Sequence, residues 1–319
     1  MGLVRESVKF NKRSANATGF LCALKIFFGL LFFAITVCTH AITEPVLPVV
    51  VSVKKPELKN NTQQLSEVDV INLALEKTKA SYGPFELRPI PPMNRARTLS
   101  ALNNNIYPNL VMMMSYEDDM VAKNPYEYID IPIDFGANSY RICFMRPALK
   151  AKLKSVQSID ELRRYTFGAG IGWLDIKILR HHGFKVIEQT NVQSLIRMTK
   201  AGRVDFFCRG FNEIFNEIKN EPETEGLSYD ESFLLYYPLP KFLFANSNNS
   251  AILKRIQQGL VIAEKDGSLH KLWMMQNKEN IAASQFNKRR IFRLSNPYIK
   301  NLPTNYQQYY FDPHKPTAP

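Results

Sequence analysis

Several kinds of chemistry are absent from this sequence. The chain has four cysteines in 319 residues, too few for a disulfide-built scaffold. It contains no HExxH, no Gly-x-Ser-x-Gly and no Walker phosphate loop, so the metal, nucleophile and phosphate sites those spacings create have no local signature. His181 and His182 are adjacent; on a helix they point about 100° apart and cannot grip one metal ion together. The paired acids Asp118 with Asp119 and Glu221 with Glu223 fall in polar stretches and read as solvated. Carboxylate dyads assembled in space stay open, because they leave no spacing to find. No segment alternates bases with exposed aromatics as a strand-binding groove does, so nucleic acid is not an expected partner. The reading implies no cofactor, no metal and no catalytic set.

Long apolar runs are scarce too. Ile26 to Cys38 is uncharged for thirteen residues, short of the roughly 20 needed to span hydrocarbon. It follows a basic start and ends at Thr39-His40-Ala41, the pattern of a secretory signal with cleavage after Ala41. Cys38 follows Val37 rather than a small residue, which argues against lipid attachment. Periplasmic export is therefore expected. The net charge is +12, from 41 bases against 29 acids, and residues 1–41 hold five of those bases and one acid. The remaining excess reads as a solvated basic face.

What is present is an alternation of strands and helices. Val46 to Val53 is an apolar run like a strand buried on both faces. A helix follows from Ser66 to the Ser81-Tyr82-Gly83-Pro84 break, then a strand at Phe85 to Pro89, a helix at Asn94 to Asn104 and a strand at Asn109 to Met114. The order returns with strands at Tyr165 to Ile171, Phe184 to Thr190 and Val204 to Arg209, separated by helices at Trp173 to His182 and Val192 to Ala201. Such repetition predicts an α/β fold of two similar Rossmann-like lobes with parallel crossover units. Two extended runs, Tyr128 to Pro147 and Phe233 to Phe244, flank the second set and read as a two-strand hinge. A helix from Ser250 to Lys265 and a proline-punctuated tail from Phe286 should return to the first lobe. The expected division is 1–41 as signal peptide, 42–137 plus 245–319 as the first lobe with its tail, and 138–244 as the second lobe with hinge strands.

Two places suggest a binding site. Gly168-Ala-Gly170-Ile-Gly172 lies between a strand and a helix, but Trp173 stands where a dinucleotide fingerprint needs its third glycine. The helix start there still offers free N–H groups to an anion, beside a flat apolar wall. The run Arg203 to Glu213 ends a strand on Arg209 and Gly210, where open α/β sheets bind ligands. Its alternative is an i, i+4 salt bridge from Arg209 to Glu213.

The leader, the two lobes, the run Leu195 to Asp205 ending Ala-Gly-Arg-Val-Asp, and Gly259-Leu260 followed by Asp266-Gly267-Ser268 resemble extracellular solute-binding proteins. The likeness is to the amino-acid-binding branch of the type 2 periplasmic binding fold, over about residues 45 to 280. It implies a Venus-flytrap receptor, non-enzymatic and monomeric, that holds a small solute for an ABC permease or a membrane sensor. That family places a Thr-x-x-Arg after the last first-lobe strand and an aspartate after the Gly-Arg-Val-Asp strand. Here Ser115-Tyr116-Glu117-Asp118 has no arginine and the second position is Gly210. The replacement set is Arg95, Ser115 and Tyr116 from the first lobe with Trp173, Arg209 and Glu213 from the second, suited to a carboxylate-bearing, amino-acid-like solute. The resemblance also lays the strand near Tyr140 antiparallel to the one ending at Arg209, which leaves Cys143 and Cys208 either bridged or two buried thiols. Two other readings remain: a periplasmic lyase or hydrolase on the same scaffold with Glu213 as its titratable group, and an envelope interaction protein with a non-functional cleft.

Overall fold

The computed structural model describes residues 47–54 and 67–315. The export segment, its cleavage after Ala41 and the start of the mature chain lie outside the described residues. The first elements are β1 (Val49–Lys54), α1 (Glu67–Lys77), α2 (Lys79–Tyr82), β2 (Phe85–Ile90), α3 (Arg95–Asn103), β3 (Val111–Ser115), α4 (Asp118–Lys123) and β4 (Tyr126–Tyr128). Then come β5 (Tyr140–Met145), α5 (Lys150–Leu153), α6 (Ile159–Leu162), β6 (Thr166–Gly170), α7 (Leu174–His181), β7 (Lys185–Gln189), α8 (Val192–Lys200), β8 (Phe206–Gly210) and α9 (Phe211–Asn220). The chain closes with β9 (Ser228–Tyr229), β10 (Phe233–Tyr236), β11 (Lys241–Asn246), α10 (Ser250–Lys265), α11 (Ser268–Ser284) and β12 (Arg290–Arg293).

In the first lobe β1 and β2 pair in parallel, Val49 opposite Phe85 through Lys54 opposite Ile90. Pro89 is tolerated in β2 because, among the described residues, no further strand pairs with its outer side. β11 lies antiparallel between β3 and β4. α1 buries Val70, Ile71, Ala74 and Leu75, one helical face, against α10. Gly259 permits that crossing, since a methyl group there would lie 2.0 Å from the Ala74 carbonyl oxygen.

The second lobe is built on a seven-stranded sheet, in the order β12-β10-β5-β8-β6-β7 with β9 beside β5. Alternation sorts its side chains. Ile142, Phe144 and Phe207 join one core cluster, while Cys143, Met145, Phe206 and Cys208 join the other. Cys143 faces Cys208 in the antiparallel pairing of β5 with β8, and the two are joined in a disulfide.

The two lobes exchange chain at 136–140 and 236–241. These crossings bond to each other: the Tyr237 N–H donates to the Ser139 carbonyl at 3.1 Å and the Leu239 N–H to the Ser139 hydroxyl at 3.0 Å. The run Phe233 to Phe244, expected as one extended segment, is two strands in two sheets, because the Tyr237 to Pro240 stretch forms the crossing itself. The tail also departs from expectation. Before reaching the first lobe it adds β12 to the large sheet, parallel to β10, because Phe292 packs in the second-lobe core against Phe233. It then donates the Lys300 and Asn301 N–H groups to the Asp118 carboxylate, and the Phe311 N–H to the Phe135 carbonyl at 2.8 Å. Among the described residues no helix is long and apolar enough to cross a membrane.

Candidate binding site

The carboxyl ends of β3 on one side and of β6 and β8 on the other meet between the lobes. Arg141 on β5 lies opposite Gly210, and Ile142 lies opposite Arg209. The two arginines therefore leave the sheet end from opposite faces. Glu213, in the first turn of α9, sits between them. It accepts the Gly210 N–H at 2.9 Å and stands 3.2 Å from Arg209 Nη2 and 3.8 Å from Arg141 Nη1. Lys241 reaches it from the first lobe, Nζ to Oε1 3.7 Å. Burial pushes the Glu213 carboxyl up, but Arg209, Lys241, Arg141 and the Gly210 N–H outweigh that and hold it down at about 2.

Arg209 has its own partner. Its Nε donates to both Glu217 oxygens at 2.8 and 3.0 Å and its Nη2 to Oε1 at 2.6 Å, a bidentate fork. Its Cζ lies 5.2 Å from the Trp173 ring centroid and 5.7 Å from that of Phe207. Trp173 folds back over the strand end, where a methyl group on Gly170 would be 2.4 Å from the indole. The ring fills the space through which a pyrophosphate would approach a dinucleotide turn. On the opposite face Arg141 pairs with Asp175, which also accepts the Tyr237 hydroxyl at 2.7 Å. Asp175 is in the first turn of α7, where the helix dipole favours an acid.

The first-lobe residues divide. Tyr116, expected to face the cleft, turns the other way. Strand alternation places it with Met112 and Met114 in the first-lobe core, edge-on to Tyr128 at 5.3 Å and Phe242 at 6.3 Å. Burial, then Tyr128 and Asp118, push its phenol up to about 12. Ser115, opposite Lys241 on β11, is half-buried. Arg95 opens α3 and meets the second lobe at Gly172, where a methyl group would lie 3.5 Å from its Cδ. Gly172 holds φ +79°, a conformation that glycine adopts without penalty. Among the described residues the Arg95 guanidinium has no carboxylate within ion-pair distance, and its hydrogen bond goes to the Met120 thioether at 3.5 Å. Burial lowers its pKa against the pull of Glu117, Asp175 and Tyr126. Beside it Lys177 of α7 pairs with Glu117 of the first lobe. α7 begins without a side-chain cap; the Ile176 N–H turns back to the Trp173 carbonyl at 3.2 Å, which leaves the Leu174 and Asp175 N–H groups without a bond from the helix itself.

Two lobes, a paired crossing and strand ends converging on a charged interface are the architecture of a type 2 periplasmic binding protein. The solved structures agree. An amino acid ABC transporter substrate-binding protein from Streptococcus pneumoniae Canada MDR_19A, bound to L-arginine, superposes at TM-score 0.54 with 13% identity, over 72% of this chain and 94% of that one. This chain has the type 2 periplasmic binding fold. An arginine 3rd transport system periplasmic binding protein from Legionella pneumophila is 16% identical at TM-score 0.51, over 71% and 98% of the two chains. The GluR0 ligand-binding core in complex with L-glutamate is 12% identical at 0.53, over 71% and 96%. No family model matches the sequence, and no curated protein matches it.

Within this binding fold the structure gathers Trp173, Arg209 and Glu213 on the second lobe and sets Arg95 and Ser115 on the first. Sequence reasoning missed Arg141, Asp175, Tyr237 and Lys241. Arg141 carried a signal, since a lone charge inside the apolar run Tyr140 to Met145 needs a buried partner. Tyr237 and Lys241 carried none.

Proposed function

We propose that the protein is a non-enzymatic periplasmic receptor that closes its lobes over a small carboxylate-bearing, amino-acid-like solute and delivers it to an ABC permease or reports it to a membrane sensor. The carrying observation is Arg95, a guanidinium at the lobe interface without a carboxylate partner among the described residues. Its stem packs at Gly172, two residues ahead of α7, and Asp175 in the first turn of α7 acts on its charge. A solute carboxylate between them would receive the guanidinium fork from one lobe and helix N–H groups from the other. Ser115, opposite Lys241 at the end of β3, is a first-lobe hydroxyl, and the Trp173 and Arg209 stack forms the second-lobe wall. Of the residues first assigned to the ligand, Arg209 and Glu213 hold the wall together and Arg95 takes the solute.

The enzyme reading fares worse. A carboxyl held down at about 2 by three cations is a poor general base near neutral pH. A non-functional cleft has one observation in its favour. Asp175 already occupies the Arg141 guanidinium close to where a ligand acid would bind. A thermal-shift screen of the mature protein against L-arginine, L-glutamate, L-glutamine, succinate and putrescine separates the two. At 100 times its dissociation constant a ligand stabilises by roughly 2.7 kcal/mol. A shift with a carboxylate-bearing probe that disappears in Arg95→Ala supports the receptor. A flat screen supports the non-functional cleft, and a shift with putrescine alone rejects the carboxylate assignment.

A further inference from the structure

Two basic stretches far apart in the chain, Lys150-Ala-Lys152-Leu-Lys154 and Lys288-Arg289-Arg290, are brought to one place by the fold. α5 carries the first. The second follows α11, just before the tail enters the large sheet. Between them, on the second lobe and formed by residues other than those of the interlobe site, is a cavity of about 450 Å³ lined by Lys150, Lys154, Lys288, Arg289 and the Tyr229 to Ser232 loop.

The acids in this lining are already engaged. Asp230 is held by its own turn, accepting the Ser232 N–H and hydroxyl and the Phe233 N–H at 2.7 Å. Glu231 pairs with Lys150 at 2.8 Å. Lys154 and Lys288 have no carboxylate within ion-pair distance among the described residues. Arg289 is 7% exposed and is oriented by backbone. Its Nε donates to the Ser284 carbonyl at 2.5 Å, and its Nη1 to the carbonyls of Asp230 and Phe233. Nη2 has no partner among the described residues. A buried guanidinium held at Nε and Nη1 with Nη2 free, with two unpaired ammonium groups on the same cavity wall, is a preorganised anion receptor.

We propose that this cavity is a second ligand site, distinct from the interlobe site, for a phosphoryl group. Three cationic donors suit the three terminal oxygens of a phosphoryl group better than the two of a carboxylate. The same chemistry, a terminal phosphate with three free oxygens, reaches an envelope protein from a soluble phosphorylated solute or from a phosphomonoester lipid headgroup, and the experiment separates these sources.

The test is calorimetry of the full chain with inorganic pyrophosphate, comparing wild type, Lys154→Glu/Lys288→Glu, Arg289→Gln, and Lys185→Glu as an exposed lysine elsewhere. The expected result is one saturable site. Its affinity falls at least tenfold in the double variant and in Arg289→Gln, and is unchanged in Lys185→Glu and in Arg95→Ala. The surface double variant keeps the test independent of any folding defect in Arg289→Gln. Absence of saturable binding, or equal losses in Lys185→Glu, overturns the proposal. A second arm measures flotation with phosphatidylcholine vesicles with and without phosphatidic acid. Phosphatidic-acid-dependent binding that pyrophosphate displaces and the double variant loses assigns the site to a headgroup. Pyrophosphate binding with no vesicle dependence assigns it to a soluble solute. Vesicle binding indifferent to both pyrophosphate and the double variant, with no pyrophosphate heat, overturns it.

Discussion

Arg209 and Arg95 face the same interlobe region from opposite lobes, and their surroundings give them opposite roles. Arg209 is followed by a helix whose first two turns present Glu213 and Glu217, and its charge is answered by two carboxylates before any ligand arrives. Arg95 opens a helix with no acid in its first turn and meets a glycine across the interface, so its charge remains to be answered. A strand-end arginine therefore does not by itself mark a ligand clamp. The acids reachable from its own element decide whether it holds the protein or the solute together.

The comparison can be broken most sharply at Arg209. Arg209→Ala leaves Glu217 and Glu213 buried without their main cation, and the expected cost is about 3 to 5 kcal/mol of stability, read from denaturant unfolding. A cost under about 1 kcal/mol would return Arg209 to the ligand. Arg95→Ala should do the converse. It should lose about 2 to 5 kcal/mol of binding, by analogy with truncated buried charge pairs, measured calorimetrically with whichever screened carboxylate shifts the melting temperature most. Its stability should stay within about 1 kcal/mol of wild type.

Acid titration sharpens the Arg209 side. The Glu213 carboxyl is lowered from 4.5 to about 2 in the folded chain. Its contribution is fully present above about pH 4.5 and is lost as pH falls toward about 2. The unfolded chain takes up the proton first in that window, so stability falls by at most about 1.4 kcal/mol per pH unit from this group. Unfolding curves of Glu213→Gln between pH 5 and 2 should show a shallower decline than wild type, and parallel curves would refute the assignment. The smallest effect belongs to Lys177→Ala. That lysine is half exposed in its ion pair with Glu117, so its loss should change stability by less than about 1 kcal/mol. A larger loss would make this pair, rather than a bound solute, the closing contact between the lobes.

Most elements were legible because each depends on neighbours within a few residues. The helix from Ser250 to Lys265 has the bounds its periodicity predicts, the strands Thr166–Gly170 and Lys185–Gln189 lie within the expected runs, and Phe206–Gly210 extends one residue past its run. The i, i+4 contact of Arg209 with Glu213 was legible for the same reason. Tyr116 was legible in principle, since a period of two from Met112 and Met114 sends it into the core. Its place after a strand suggested the cleft instead.

The alternation of strands and helices, the repetition that makes two lobes, and the places where strands end follow from the order of residues, because periodicity and turn residues act locally. Tertiary structure alone decided the other charge partners. Glu217 lies eight residues from Arg209, Asp175 thirty-four from Arg141, and Lys241 reaches Glu213 from the other lobe. It also set β12 beside β10 and brought Lys154 to the same cavity as Arg289. These pairings depend on which strand ends the fold brings together, and an ion pair satisfied across such distances leaves no pattern along the chain.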